Sequence, residues 1–186
     1  MKDSTKVLYK SIQSRYVKVT WSHKIQEKQG DIYADKSKKV KSCICILSTL
    51  TSGGAVSSIF QIIDPQIVSI LTATFALILS YYTIRYKDGQ LDKKSKENKI
   101  IAAKLHNLRN KYESLMTEII AELHEDMEIV KKKDELEQQE NTVYMDTPCT
   151  TRKAVKQAER ALKTNKESTT EEEEIEAIVP KELIIH

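Results

Sequence analysis

Apolar and polar residues are arranged in three different ways along these 186 residues. Near the start, Leu8, Ile12, Tyr16 and Val19 recur at helical spacing, with Ile25 beyond them. That stripe predicts an amphipathic helix over residues 1–40, with a break or kink at Gly30 and Asp31. The pattern then changes. Residues 42–84 hold one charged residue, Asp64, which divides two apolar runs, 42–63 and 66–84. At about 1.5 Å per residue the runs are roughly 33 and 28 Å long as helices, enough to cross a hydrocarbon layer of about 30 Å with little or no tilt. Asp64 suits a helix N-cap and Pro65 suits the first helical position, where its missing N–H is not needed. A turn that short makes the two helices antiparallel neighbours.

A third pattern follows. Ile101, Leu105, Leu108, Tyr112, Leu115 and Ile119 alternate spacings of four and three, which is the a/d seam of a coiled coil. Leu123, Met127 and Val130 continue it after a small phase slip. No Gly or Pro falls between Leu91 and Thr147, so one long helix is expected over 87–140. Its seam has two candidate partners, the N-terminal helix of the same chain or a second copy. The tail, 141–186, turns at Pro148, is expected to form a short helix from Thr151 to Lys163, and then becomes too polar over 164–174 (TNKESTTEEEE) to fold. The final IEAIVPKELIIH regains apolar residues and reads either as a docking peptide or as a segment that packs on its own domain.

The mean hydropathy of −0.46 looks soluble, but it averages an apolar block with highly charged flanks. Charge placement sets the orientation. Lys36, Lys38, Lys39 and Lys41 precede the block, Arg85, Lys87, Lys93, Lys94 and Lys96 follow it, and the turn has no basic residue. Basic residues stay on the cytoplasmic side of a membrane. The predicted fold is therefore an all-α membrane protein: a two-span transmembrane helical hairpin with long cytoplasmic amphipathic or coiled-coil helices. It belongs in the cell inner membrane with both termini cytoplasmic. Tyr81, Tyr82, Arg85 and Tyr86 are placed to anchor it at the membrane interface, in contact with lipid. A buried hairpin in a soluble bundle would leave the one-sided basic flanks unexplained. The net charge of +3 is too small, and its basic residues too interleaved with acidic ones, to point to direct nucleic-acid binding.

The first apolar run is unusually polar for a span. Ser48, Thr49, Ser52, Gly53 and Ser57 stand out, with Thr49, Gly53 and Ser57 in one row. Such small residues let helices approach closely in lipid, and their hydroxyls can also line a water-filled path. Both readings stay open, and a path would need several copies, because two helices cannot enclose one. Cys43 and Cys45 point to nearly opposite helix faces, the four histidines show no ligand spacing, and no carboxylates pair within the spans. Neither an enzyme nor a metal or other cofactor is expected.

Three stretches carry a family resemblance: YKSIQSRYVKVTWSHKIQEK before the spans, SCICILSTLTSGGAVSSIF within the first, and KLHNLRNKYESLMTEI after the second. In their order, basic-flanked helix, two-span hairpin, long cytoplasmic helix, the chain resembles the SLATT family over roughly residues 5–130. These are two-transmembrane effector domains associated with SMODS nucleotidyltransferases and SLOG proteins in prokaryotic conflict systems. The resemblance implies a pore-forming effector that homo-oligomerises and permeabilises the membrane when triggered by a nucleotide signal or a sensor partner. That partner would be a nucleotidyltransferase, a SLOG protein or a reverse transcriptase. A membrane anchor whose coiled coil recruits an enzyme is the rival expectation.

Overall fold

The computed structural model describes residues 2–60, 64–86 and 89–167, with the backbone alone over 54–60 and at 65. Among the described residues there are five helices: α1 (Asp3–Phe60), α2 (Pro65–Arg85), α3 (Gln90–Ile120), α4 (Asp126–Met145) and α5 (Arg152–Lys163). Among the described residues there is no strand, so the all-α class holds. Two compact units divide the chain: one takes residues up to Gln29 and from Asn98 onward, the other Gly30–Glu97.

In the first unit, α1, α3 and α4 share one apolar core. Ile12 and Val19 come from α1, Ile101, Leu105, Leu108, Tyr112, Leu115 and Ile119 from α3, and Ile129 and Leu136 from α4. Their directions follow from which residues meet. Thr5 bonds Asp126, Lys18 bonds Glu140, Ser22 bonds Tyr144 and Gln29 bonds Thr151, at separations of 121 or 122 throughout. A constant separation means that α4 and the chain leading from it run parallel to α1. Between α3 and α4 the separation shrinks toward the turn, 28 for Lys111–Gln139 and 14 for Glu118–Lys132, so these two are antiparallel. Every predicted seam residue of α3 is at most 5 % exposed. Helices of the same chain, α1 and α4, cover the seam. At 1.5–3 kcal/mol per buried large apolar side chain, as an upper bound, this seam is the largest apolar contribution to the unit.

The expected single helix over 87–140 is not formed. It divides at residues 121–125 into α3 and α4. Glu122 adopts φ 54, a left-handed conformation. Its N–H bonds Ile119 O at 3.1 Å, and Leu123 N–H bonds Glu118 O at 3.1 Å. These are the two bonds of a Schellman ending, which satisfies the last carbonyls of α3. The phase slip marked this stop: Leu123 and Met127 are 66 % and 81 % exposed, and Ile129 enters the core instead. Asp126 then accepts hydrogen bonds from the Ser4 and Thr5 hydroxyls, pinning the start of α4 to the start of α1. The expected break at Gly30 and Asp31 is also absent, because α1 runs through both. A glycine in a helix interior costs only about 1 kcal/mol, which a 58-residue helix absorbs.

In the second unit, from Ser37 onward, the partly covered positions of α1 are Val40, Ile44, Leu47, Ser48 and Thr51, with Ser37 buried. Those of α2 are Thr72, Phe75, Leu79 and Tyr82, with Val68 buried. Steps of three and four on both helices define a seam along one stripe of each. Below it, Ser95 Oγ donates to Gly30 O at 2.8 Å and Lys41 Nζ meets Asp92 at 2.5 Å. Hydrogen bonds from Lys41 and Ser37 hold the Asp92 carboxyl below its ordinary range. Lys36 lies over the Tyr86 ring at 5.2 Å and Lys94 over Tyr33 at 5.9 Å. One helical stretch among the described residues, opening at Gln66, is long and apolar enough to cross a membrane. Only 6 % of its most apolar window is buried within the protein, which is the reverse of a soluble core helix.

Candidate functional site

The residues singled out in the first apolar run lie on α1, away from its seam. Thr49, Ser52 and Gly53 are exposed, and Ser48 is half-buried at the seam's edge. With about 100° of rotation per residue, Thr49 and Gly53 stand opposite Ile44 and Thr51. A methyl group placed on Gly53 would meet nothing within 4 Å. Ser57 lies on α1 outside the residues whose side chains are described. The covered stripe of α1 therefore carries Ile44, Leu47 and Thr51, and Thr49 and Gly53 lie on the opposite, exposed side, with Ser52 between the two.

The hydroxyls along this part of α1 are satisfied locally, on the exposed face and on the seam alike. Thr49 Oγ1 donates to Cys45 O at 3.0 Å, Thr51 Oγ1 to Leu47 O at 2.8 Å, and Ser52 Oγ to Ser48 O at 3.0 Å. On α2, Thr74 and Thr83 bond Ile70 O and Leu79 O in the same way. A hydroxyl bonded to the carbonyl one turn back needs no water, so it can sit against lipid or against another helix. Its oxygen keeps acceptor capacity, so the face can also meet water.

Asp64 is the N-cap of α2 and accepts from Gln66 N at 2.8 Å, with Pro65 opening the helix. At the other end of α2, Tyr82 stacks on Tyr86 with ring centroids 5.9 Å apart, and Tyr81 meets Tyr82 edge-on at 5.9 Å. Tyr81 is 61 % exposed, and Arg85 lies in the last turn, where a cation suits the helix dipole. Ile101, Leu105, Leu108, Tyr112, Leu115 and Ile119 are far from this face in role: they are the core of the other unit.

Two polar clusters were missed by pattern reading. Glu140 is fully buried, and its carboxylate faces Arg15 at 3.4 Å, Lys18 at 3.2 Å and the Tyr112 hydroxyl at 3.0 Å. Burial and the adjacent carboxylate push the Tyr112 hydroxyl well up, so it stays protonated and donates. A usable signal existed, since Glu140 falls four residues after Leu136, on the same stripe. The second cluster is Lys24 and Lys28 of α1 around Glu167, at 3.4 and 3.0 Å. Nothing in spacing links residues 139 or 143 positions apart. Among the described residues no group of three His, Cys, Asp or Glu could hold a metal ion.

Compared with known proteins, the chain from residue 8 to residue 174 matches the profile of SMODS and SLOG-associating 2TM effector domain family 4. The match extends past the 5–130 span of the resemblance and takes in α4 and α5. No curated protein and no solved structure matches the chain.

Proposed function

The chain belongs to SMODS and SLOG-associating 2TM effector domain family 4, and from that premise we propose that it is a pore-forming effector of a prokaryotic defence system. Residues 42–63 and 66–84 are its two spans, the turn at Asp64–Pro65 is outside, and both termini are in the cytoplasm. Copies assemble in the inner membrane through the open face of α1. A sensor partner or nucleotide signal acting on the cytoplasmic helices triggers permeabilisation. The observation that carries this reading is the location of Thr49 and Gly53, exposed and opposite the stripe of α1 that is partly covered. A single hairpin has no use for glycine on that side. A neighbouring copy does, because glycine lets backbones approach closely in lipid.

The test is membrane potential, followed with a voltage-sensitive dye in cells expressing the protein together with its neighbouring genes. Depolarisation is expected on triggering, and Gly53→Leu should abolish it while the protein still inserts. An unchanged potential while the system is active would sink the proposal. The rival reading, a membrane anchor that recruits an enzyme, is favoured by the apolar tip of the bundle, Ile120, Leu123 and Met127, each at least 66 % exposed. Exchange of the hairpin for an unrelated one separates the two, since an anchor survives it and a pore does not.

A further inference from the structure

α5 is attached to the bundle by little apolar surface. Its buried residues are Ala154, Ala158 and Ala161, three methyl groups, Leu162 is half-buried, and Val155 is 40 % exposed. Polar contacts supply the rest. At its start, Thr151 donates through N and Oγ1 to the Oε1 of the fully buried Gln29, at 2.8 and 2.9 Å. At its end, Lys166 turns into a left-handed conformation, φ 51, and Glu167 N–H returns to Ala161 O at 3.0 Å. That turn delivers the Glu167 carboxylate to α1, where Lys28 and Lys24 hold Oε2 and Asn165 holds Oε1 at 3.2 Å. Lys24 is a built part of this site: its side chain is 7 % exposed and is shared with Glu27 at 2.8 Å.

We propose that Lys24 and Lys28 form a carboxylate-binding site on α1 that Glu167 fills, making α5 a releasable strap whose closure depends on this clamp. Left-handed backbone at a lysine costs on the order of 1–2 kcal/mol and persists only where its surroundings hold it. Here the Glu167 charge contact holds it, together with the backbone bonds to Arg160 O and Ala161 O. An element with few buried apolar contacts sits at the low-stability end of a protein and opens locally without global unfolding. The clamp is one-third exposed at Glu167, so salt loosens it. The site selects a carboxylate, and an acidic segment of a partner protein is the chemistry that would replace Glu167 on it.

The chain has one tryptophan, Trp21, and Lys163 of α5 lies over its ring at 5.7 Å. Strap opening is therefore readable in the full-length protein in detergent micelles, without reference to conduction, so this proposal and the pore proposal fail separately. Trp21 emission and amide hydrogen exchange are compared in wild type, Glu167→Gln, Lys28→Gln and the double variant. Each single variant should change the emission and speed exchange over Arg152–Lys163 about tenfold, as the loss of one charge-assisted bond implies. The double variant should add nothing, and exchange over Ile101–Ile119 should stay at the wild-type rate. Raising NaCl to about 1 M should move wild type as the substitutions do and leave Glu167→Gln unmoved. Wild-type exchange rates over α5 in Glu167→Gln overturn the proposal. Equal acceleration over α3 also overturns it, since that would mean general destabilisation.

Discussion

Glu140 has no exposed surface and carries a carboxylate into a core of leucine and isoleucine. Its two cations do not share its burial: Arg15 and Lys18 keep 32 % and 57 % of their side chains exposed. The three partners are therefore unequal. Lys18→Ala removes a mostly solvated charge and should cost below about 1 kcal/mol. Glu140→Ala leaves the Tyr112 hydroxyl buried without an acceptor and should cost about 3 kcal/mol. Equilibrium denaturation followed by far-UV circular dichroism checks the difference, and equal costs would contradict it. His23 gives a pH dependence of the opposite origin. Burial is the main cause that lowers its pKa to about 4, with Lys24, His106 and Arg109 adding repulsion and Glu27, at 3.6 Å, opposing it. The unfolded chain binds this proton near pH 6.5, the folded one only near 4, so stability is full above 6.5 and falls as pH drops between the two. The loss is roughly 3 kcal/mol at most, and His23→Gln should flatten that acid limb in a denaturation series. Glu167, held to about 2 mainly by its bond to Lys28, contributes stability above its unfolded value of 4.5 and loses it only below that. The strap therefore stays clamped at neutral pH. The pairings of Arg15 and Lys18 with Glu140 and of Lys28 with Glu167 were not legible in the sequence, because each joins residues more than 120 positions apart that only the bundle brings together.

At the scale of elements, the apolar periodicity of α3 named its six core residues correctly, since a helix buried on one side must repeat apolar residues at three and four. The short helix expected at Thr151 to Lys163 also forms, with Thr151 Oγ1 accepting from Ala154 N at 3.3 Å as its N-cap. The phase slip marked the stop after Ile120, but the residue type at the stop did not. Helices that end in a left-handed residue usually place glycine there, and this one places Glu122. Strain at that residue is stored by the rest of the bundle: α4 must turn back to bury Ile129 and Leu136, so the ending is imposed by tertiary packing. Glu122→Gly should relieve the strain and raise stability by about 1 kcal/mol, whereas Glu122→Val should lower it. Thermal denaturation of the two variants decides. A stabilising valine would mean that the left-handed turn is not the conformation in solution. The small-residue row of α1 shows the complementary limit. Its residues were named, but whether they pack the hairpin was not, because periodicity alone does not say which of two stripes meets α2. Volume decides it: Ile44 and Leu47 fill the seam, and the glycine row is left outside.

At the scale of the whole molecule, α1 is the element that both units share. It gives Ile12 and Val19 to the bundle core and Ile44, Leu47 and Thr51 to the hairpin seam, in one helix with no break. Within the second unit, the Ser95 hydroxyl donates to Gly30 O and Lys41 pairs with Asp92. We propose that a change of load on the N-terminal part of α1 reaches the part that carries the first apolar run, since helical chain resists bending more than a loop would. Gly30→Pro tests this directly. Proline removes the N–H that bonds one turn back and clashes with the preceding carbonyl, so it kinks the helix at a cost of about 3 kcal/mol while leaving every core side chain in place. The bundle should still fold, shown by unchanged Trp21 emission, and the protein should still insert in the membrane. Triggered depolarisation should fall at least tenfold. Gly30→Ala, which favours the helix by about 1 kcal/mol, should keep it. A Gly30→Pro protein that folds, inserts and depolarises cells like the wild type would mean that the trigger reaches the spans by a route other than α1.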